Sequence, residues 1–360
     1  MHPRRARHTA TASRGATGAG SRTRRIVVAA VALILTLSAC GSEKRTTAEG
    51  VTPVDIKMSV ATFTNATALV MAAQDLDAAH ELDVELDQAG VSSTLSIEAV
   101  LSRDADLALA GPPSALAAIR QGAPLTILGS IANNQQVMVI RPDVVARLGI
   151  TPDAPVAERM EALRGLTIGT NPSGSTYQTL LRNELGRFGM NPDVDVRMVG
   201  IQDPNALVTG LAQGQFDAIA TASGIVEQAI INSGAVVWIS GPRGDIEATA
   251  DVPVLAIVGR TDWVNENAET VDKFRDVMAD ALDALKTERD ALGPVLKAEY
   301  FPALDQGVWD LAWEESAGGY PDAPTFPRSS YDFWVENDPE GVAAYGDVNY
   351  EDVTYGAAQD

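Results

Sequence analysis

From residue 56 onward, short apolar runs alternate with stretches in which apolar residues recur every three or four positions. That rhythm predicts strands and helices in turn. Strands are predicted at 56–61, 82–86, 105–110, 125–129 and 136–140, with helical spacing at 66–79, 95–101 and 113–120. The rhythm continues with strands at 166–170, 194–199, 218–221, 236–239 and 253–258, and helices at 175–188, 205–213 and 225–232. Such alternation argues an α/β fold with two mixed, mostly parallel sheets and helices on both faces.

After residue 258 the pattern changes. Val271, Phe274, Val277, Met278, Ala281, Leu282 and Leu285 fall at three- and four-residue steps, the signature of one long amphipathic helix. More helical spacing follows at 295–300 and 305–315. Twelve of the 19 aromatic residues lie between Tyr300 and Tyr355, so the tail is expected to wrap a lobe through aromatic contacts and to form no strands. Two α/β units and a helical tail suit a two-lobed molecule. Lobe I is expected to comprise residues 53–140 plus 255–360 and lobe II residues 141–254, with crossings near Ile140–Arg141 and Val254–Leu255.

The N-terminus carries a different pattern. Seven arginines and no acid occupy residues 1–25, an apolar run follows at 26–37, and Leu37-Ser38-Ala39-Cys40 closes it. A basic region, a short apolar region and small residues before a cut are the anatomy of an export signal. The run is shorter than the roughly 20 residues that span a bilayer. Leu-Ser-Ala-Cys is similar to the bacterial lipobox, which implies acylation of Cys40, the chain's only cysteine, after removal of residues 1–39. Residues 40–52 read as a flexible polar tether. The expected location is therefore the extracytoplasmic face of the cell membrane, held by a lipid anchor.

Loss of residues 1–39 removes seven of 27 basic residues and none of the 48 acids, which leaves 20 against 48 and a net charge of −28. Such a surface repels nucleic acid and anionic headgroups, so neither is an expected partner. Catalytic chemistry is poorly supplied too. His2 and His8 leave with the signal, and His80, beside Glu81 at a helix end, is the remaining histidine. Neither a Ser-His nor a Cys-His pair can be built from this set, nor a His/Cys metal cluster. No cofactor, metal or enzymatic activity is expected.

The polar residues that stand out lie at strand-to-helix junctions. Gly169-x4-Gly174 has the spacing of a phosphate-binding loop, but Ser175 stands where that motif needs lysine, so nucleotide hydrolysis is not indicated. What remains is a Gly-rich turn, Gly174-Ser175-Thr176, opening a helix whose free N–H groups suit an anionic or strongly accepting group. Ser175 also fits a helix N-cap, and the two roles are compatible. Parallel turns occur at Thr62-Phe63-Thr64-Asn65, at Gly111-Pro112-Pro113-Ser114, at Asn133-Asn134 and at Thr221-Ala222-Ser223. Ligands of open α/β sheets bind beyond the carboxyl ends of strands, where all these turns fall. Phe63 is expected to cover an apolar part of the ligand, and Arg243 is either a cation for the cleft or a solvated loop residue.

Asp104-Ala-Asp106-Leu-Ala-Leu-Ala-Gly111-Pro-Pro-Ser114, Gln121-Gly122-Ala-Pro124, Leu163-Arg-Gly165-Leu-Thr-Ile-Gly169 and Leu207-x5-Gln213-Gly214-Gln215-Phe216-Asp217 follow one another in order. This series resembles the nitrate/sulfonate/taurine family of ABC substrate-binding proteins over residues 55–290. The resemblance implies a type II periplasmic-binding fold, a small solute held between two lobes, and permease and ATPase partners; the chain is expected to act as a monomer. Carried over by position, the resemblance implies ligand contacts from Thr62, Phe63, Thr64, Asn65, Gly111, Pro112, Pro113, Ser114, Gly174, Ser175, Thr176, Thr221 and Ser223; Asn134 is a further candidate from its strand-end position alone. Thr221-Ala-Ser223 departs from the aromatic-proline pattern of relatives, and the first loop lacks their glycine run. Family members bind sulfonates, nitrate or pyrimidines, so a pyrimidine-like solute and a sensory role both stay open. Some proteins of this fold are enzymes, among them a thiamine-pyrimidine synthase, which relies on His and Cys residues missing here.

Overall fold

The computed structural model describes residues 50–88 and 92–359. The expected signal, most of the expected tether and Cys40 lie outside the described residues. Ten strands form two five-stranded sheets. β1 (Thr52–Met58), β2 (Leu82–Gln88), β3 (Leu107–Ala110), β4 (Leu125–Ala132) and β10 (Leu255–Arg260) build the first, in the order β2-β1-β3-β10-β4. β5 (Gln136–Ile140), β6 (Thr167–Thr170), β7 (Arg197–Gly200), β8 (Ala218–Ala222) and β9 (Val236–Ser240) build the second, in the order β7-β6-β8-β5-β9. Each sheet runs four strands one way and one against them: β10 is antiparallel to β3 and β4, and β5 to β8 and β9. The architecture is the bilobal type II periplasmic-binding fold.

One expected boundary needs correction. The sequence pattern places residues 136–140 in lobe I, but β5 pairs with β8 and β9 in the second sheet. The first crossing is therefore made by Asn133, Asn134 and Gln135, ahead of Ile140–Arg141. The apolar run predicts a buried strand, and nothing local in it says which sheet it joins, because strand pairing is a long-range choice. The return crossing runs through residues 241–254 into β10.

β5 also shows why both faces of the second sheet are apolar. Met138 and Ile140 enter one buried cluster with Ile168, Leu181 and Trp238, while Val137 and Val139 enter another with Leu207, Phe216 and Ile219. Alternate residues of a strand point to opposite faces, so a strand covered on both sides is continuously apolar. The first sheet shares one core with the C-terminal helices. Ala268–Thr287 lays Val271, Phe274, Val277, Met278, Ala281 and Leu282 onto it. The tail then closes over it: Trp334 donates to the Pro253 carbonyl at 3.0 Å, and the Tyr350 hydroxyl to that of Phe326 at 2.9 Å. Tail aromatics thus pack as the sequence predicts, on the first lobe. No helix among the described residues is long and apolar enough to cross a membrane.

Candidate functional site

The helix Thr176–Arg187 begins where β6 ends, and its start is organised by three residues. Gly174 has φ +80°, a conformation that glycine adopts without penalty. The Ser175 side chain then accepts from the Gln178 amide as N-cap, and Gln178 returns a carbonyl oxygen to the Gly174 N–H at 3.3 Å. Thr176 and Tyr177 follow, half-buried, on the side that meets the first lobe.

Across the cleft, the turn after β3 brings Gly111 against Thr176. A Cβ placed on Gly111 would stand 2.2 Å from the Thr176 Oγ1. The Gly111 N–H is held by Ser93 Oγ at 2.9 Å, and Pro112 and Pro113 open the helix Pro112–Arg120, in which Ser114 N–H returns to the Gly111 carbonyl. Proline is favoured at the first helical position because its missing donor is not needed there. Beside this contact, the hydroxyls of Thr64 and Tyr177 lie 2.7 Å apart. Burial raises the Tyr177 pKa well above that of a free phenol, so the phenol stays protonated and free to donate. Thr64, Gly111 and Thr176, expected from sequence to face one solute, are thus brought together across the two lobes.

Other expected residues serve different contacts. Thr62 N–H is held by Asn65 Oδ1 at 2.8 Å, and Asn65, itself buried, reaches the Val60 carbonyl at 3.2 Å. Phe63 is 2 % exposed and enclosed by Phe301, Trp309 and Trp313, with ring centroids 5.3, 5.1 and 6.4 Å away. Tyr320 donates to its carbonyl, and Gly224 of the second lobe packs closely against the Cδ2–Cε2 edge of its ring. The expectation that Phe63 covers a ligand is not what its packing shows: its ring is occupied by the C-terminal helices. Asn134 accepts from Gln136 N–H at 2.9 Å and donates to Glu184 at 3.2 Å, wholly buried. Thr221 donates to Asn171 Oδ1 at 2.8 Å, and Ser223 to Glu227 at 2.9 Å. Arg243, the cation considered for the cleft, pairs with Glu315.

Sequence reasoning passed over the buried acids. Burial pushes Glu184 up to about 7, against the bonds from Thr249 and Asn134. It does the same to Glu227, where the Gly224 amide and Ser223 oppose the shift and Glu315 adds to it. Glu315 accepts from Ser240 Oγ, and Ser223 also reaches the Ala312 carbonyl. The helix Gln306–Glu315 therefore touches both lobes, packing on Phe63 through its tryptophans and on the second lobe through Ala312 and Glu315. Two cavities are lined by residues other than those of the turns. One of about 510 Å³ borders Val156, Phe188 and Ile246; the other, about 610 Å³, lies between Gly293, Pro294, Trp309 and Trp313.

This fold recurs in solved structures. The periplasmic aliphatic sulphonate binding protein of Escherichia coli matches with a TM-score of 0.59 and 16% identity, over 74% of this chain and 84% of that one. The periplasmic nitrate-binding protein of Synechocystis PCC 6803 gives 0.55 and 18%, over 73% and 70%. A ligand-binding component of an ABC-type import system from Staphylococcus aureus gives 0.64 and 11%, over 85% and 97%. No curated protein sequence matches. The resemblance read from residues 55–290 thus has its counterpart in three dimensions, and a family model covers nearly the same stretch. Residues 49–293 match the model of the NMT1-like family, and the chain belongs to that family.

Proposed function

We propose that this chain is the extracytoplasmic, lipid-anchored solute-binding component of an ABC importer, acting without catalysis. It encloses a small polar solute between its lobes and hands it to a permease driven by an ATPase. The observation that carries this reading is the meeting of Thr64, Gly111, Thr176 and Tyr177 across two sheets, all at or near strand carboxyl ends. The solute class follows from the donors on that seam. Hydroxyls of Thr64, Ser175 and Thr176, and the N–H groups of a helix start, favour a sulfonate, a nitrate or another strongly accepting group. The structural relatives named for sulphonate and nitrate agree with this choice.

Thermal-shift titration of the purified chain with alkanesulfonates, nitrate, pyrimidines and amino-acid derivatives tests the proposal. A solute that binds the native state alone raises the melting temperature by mass action. Replacing Thr176 by Val removes a hydroxyl donor and should weaken an accepting solute about tenfold, since a hydrogen bond to a charged group contributes roughly 1.5–3 kcal/mol. A panel in which nothing raises the melting temperature, or a solute indifferent to Thr176→Val, would count against the assignment.

A further inference from the structure

Gly111 is not required by its own backbone. Its φ of −64° and ψ of 134° suit any residue, and at the cap of the helix Pro112–Arg120 a Ser or Asp would serve as well or better. What glycine supplies is room. The one atom that a Cβ would overrun is Thr176 Oγ1 at 2.2 Å; the next nearest atoms, Thr176 Cβ and Ser93 Oγ, are both at 3.6 Å, an ordinary contact. That one atom belongs to the opposite lobe.

The contact sits at the head of a seam. Thr176, Leu180 and Asn183 recur at helical spacing on one face of Thr176–Arg187. Leu180 is buried in the core of the first lobe, and Asn183 Nδ2 donates to Asn337 Oδ1 at 2.8 Å. Thr64 and Tyr177 meet beside it at 2.7 Å. Anything that holds Gly111 and Thr176 apart therefore lengthens two cross-lobe hydrogen bonds and uncovers Leu180.

We infer that Gly111 and Thr176 are a size-matched pair that sets how far the lobes close, with Gly111 a positioning residue for the enclosed solute. The inference rests on the proposed capture of a solute between the lobes, and its test needs no solute. In Gly111→Cys/Thr176→Cys the two Cβ atoms fall 3.6 Å apart in the closed state, within the span of a disulfide. Mild diamide oxidation should link 111 to 176 within one chain, as read by peptide mapping that separates this link from any made by Cys40. A correctly folded double variant that does not link would overturn the inference.

A second arm measures closure at a distance. Asn183→Cys/Asn337→Cys is joined by a short bis-maleimide, and the rate is followed in three backgrounds. Adding Gly111→Ala should slow the joining at least about fivefold, the scale of one misplaced methyl in a packed contact. Adding Thr176→Ala to that background removes the overrun atom and should restore the original rate. Circular dichroism and melting temperature keep folding defects apart from closure defects. An unchanged rate in Gly111→Ala, or no recovery in the double background, contradicts the matched pair even if a solute is found by titration. Failure of the solute panel with the cross-linking pattern intact would instead remove the transport reading alone.

Discussion

A carboxyl group enclosed by protein, as Glu184 is at 3 % exposure, holds its proton more tightly than one in water. Burial is the largest cause of its rise to about 7; Thr249, Asn134 and Arg187 pull it down, and Asp245 pushes it up. The native state therefore binds a proton that the unfolded chain, at an ordinary value of 4.5, has already released. Stability must fall as pH rises from about 4.5 to about 7, and the full penalty is present above that window. The penalty is on the order of 3 kcal/mol. Glu184→Gln keeps an acceptor for Asn134 and Thr249, so it should raise the melting temperature at pH 8 and leave it unchanged near pH 4.5. A gain equal at both pH values would refute the assignment to ionisation. Its burial was legible in the sequence, because Glu184 shares the apolar face of Leu180, Leu181 and Leu185. Its partners were not, since Asn134 is fifty residues earlier and Thr249 sixty-five later.

At the scale of elements, periodicity located the strands and helices well and their partners poorly. The predicted strand at 194–199 begins only at Arg197, and the helix foreseen at 66–79 stops at Ala73, before a separate 3-10 turn at Leu76–His80. Ser175 is a case where two roles read from sequence coincide in one place. Its side chain caps the helix Thr176–Arg187, and the helix start lies on the seam between lobes. Ser175→Ala should therefore destabilise the solute-free protein by about 1 kcal/mol, the usual loss of an N-cap. Ser175→Asp keeps the cap and adds a negative charge beside the helix N-terminus. It should hold the melting temperature of the original chain while reducing affinity for an anionic solute more than Ser175→Ala does. Equal affinities in the two variants would show that the solute's charge lies elsewhere. The Gln306–Glu315 helix illustrates the opposite limit. Its tryptophans announced an aromatic contact, but that they would enclose Phe63 follows only from the tail's return across both lobes.

For the whole molecule, the sequence conveyed two α/β units and a tail, and it misplaced the joint between the units because the sheet that β5 joins is set by long-range pairing with β8 and β9. It also conveyed an export pattern ending at Cys40. Cys40→Ala should abolish incorporation of labelled fatty acid and leave the chain unprocessed; normal labelling would refute the anchor. How the lobes move is a property of the joints themselves. One is the three-residue link at 133–135, in which Gln135 Nε2 donates to the carbonyls of Ser316 and Gly319. The other is the longer segment 241–254, whose Pro242 carbonyl packs against Gly318. Both joints thus rest on the same turn of the C-terminal tail, residues 316–319. A solute bridging the lobes favours the closed state only by its differential affinity for it. At a hundred times its dissociation constant, it adds about 2.7 kcal/mol to that state if it binds no other. Small-angle scattering at such a concentration should show a smaller radius of gyration than the solute-free chain. A raised melting temperature with an unchanged radius would place the solute outside the seam, and a larger radius would mean that binding holds the lobes apart.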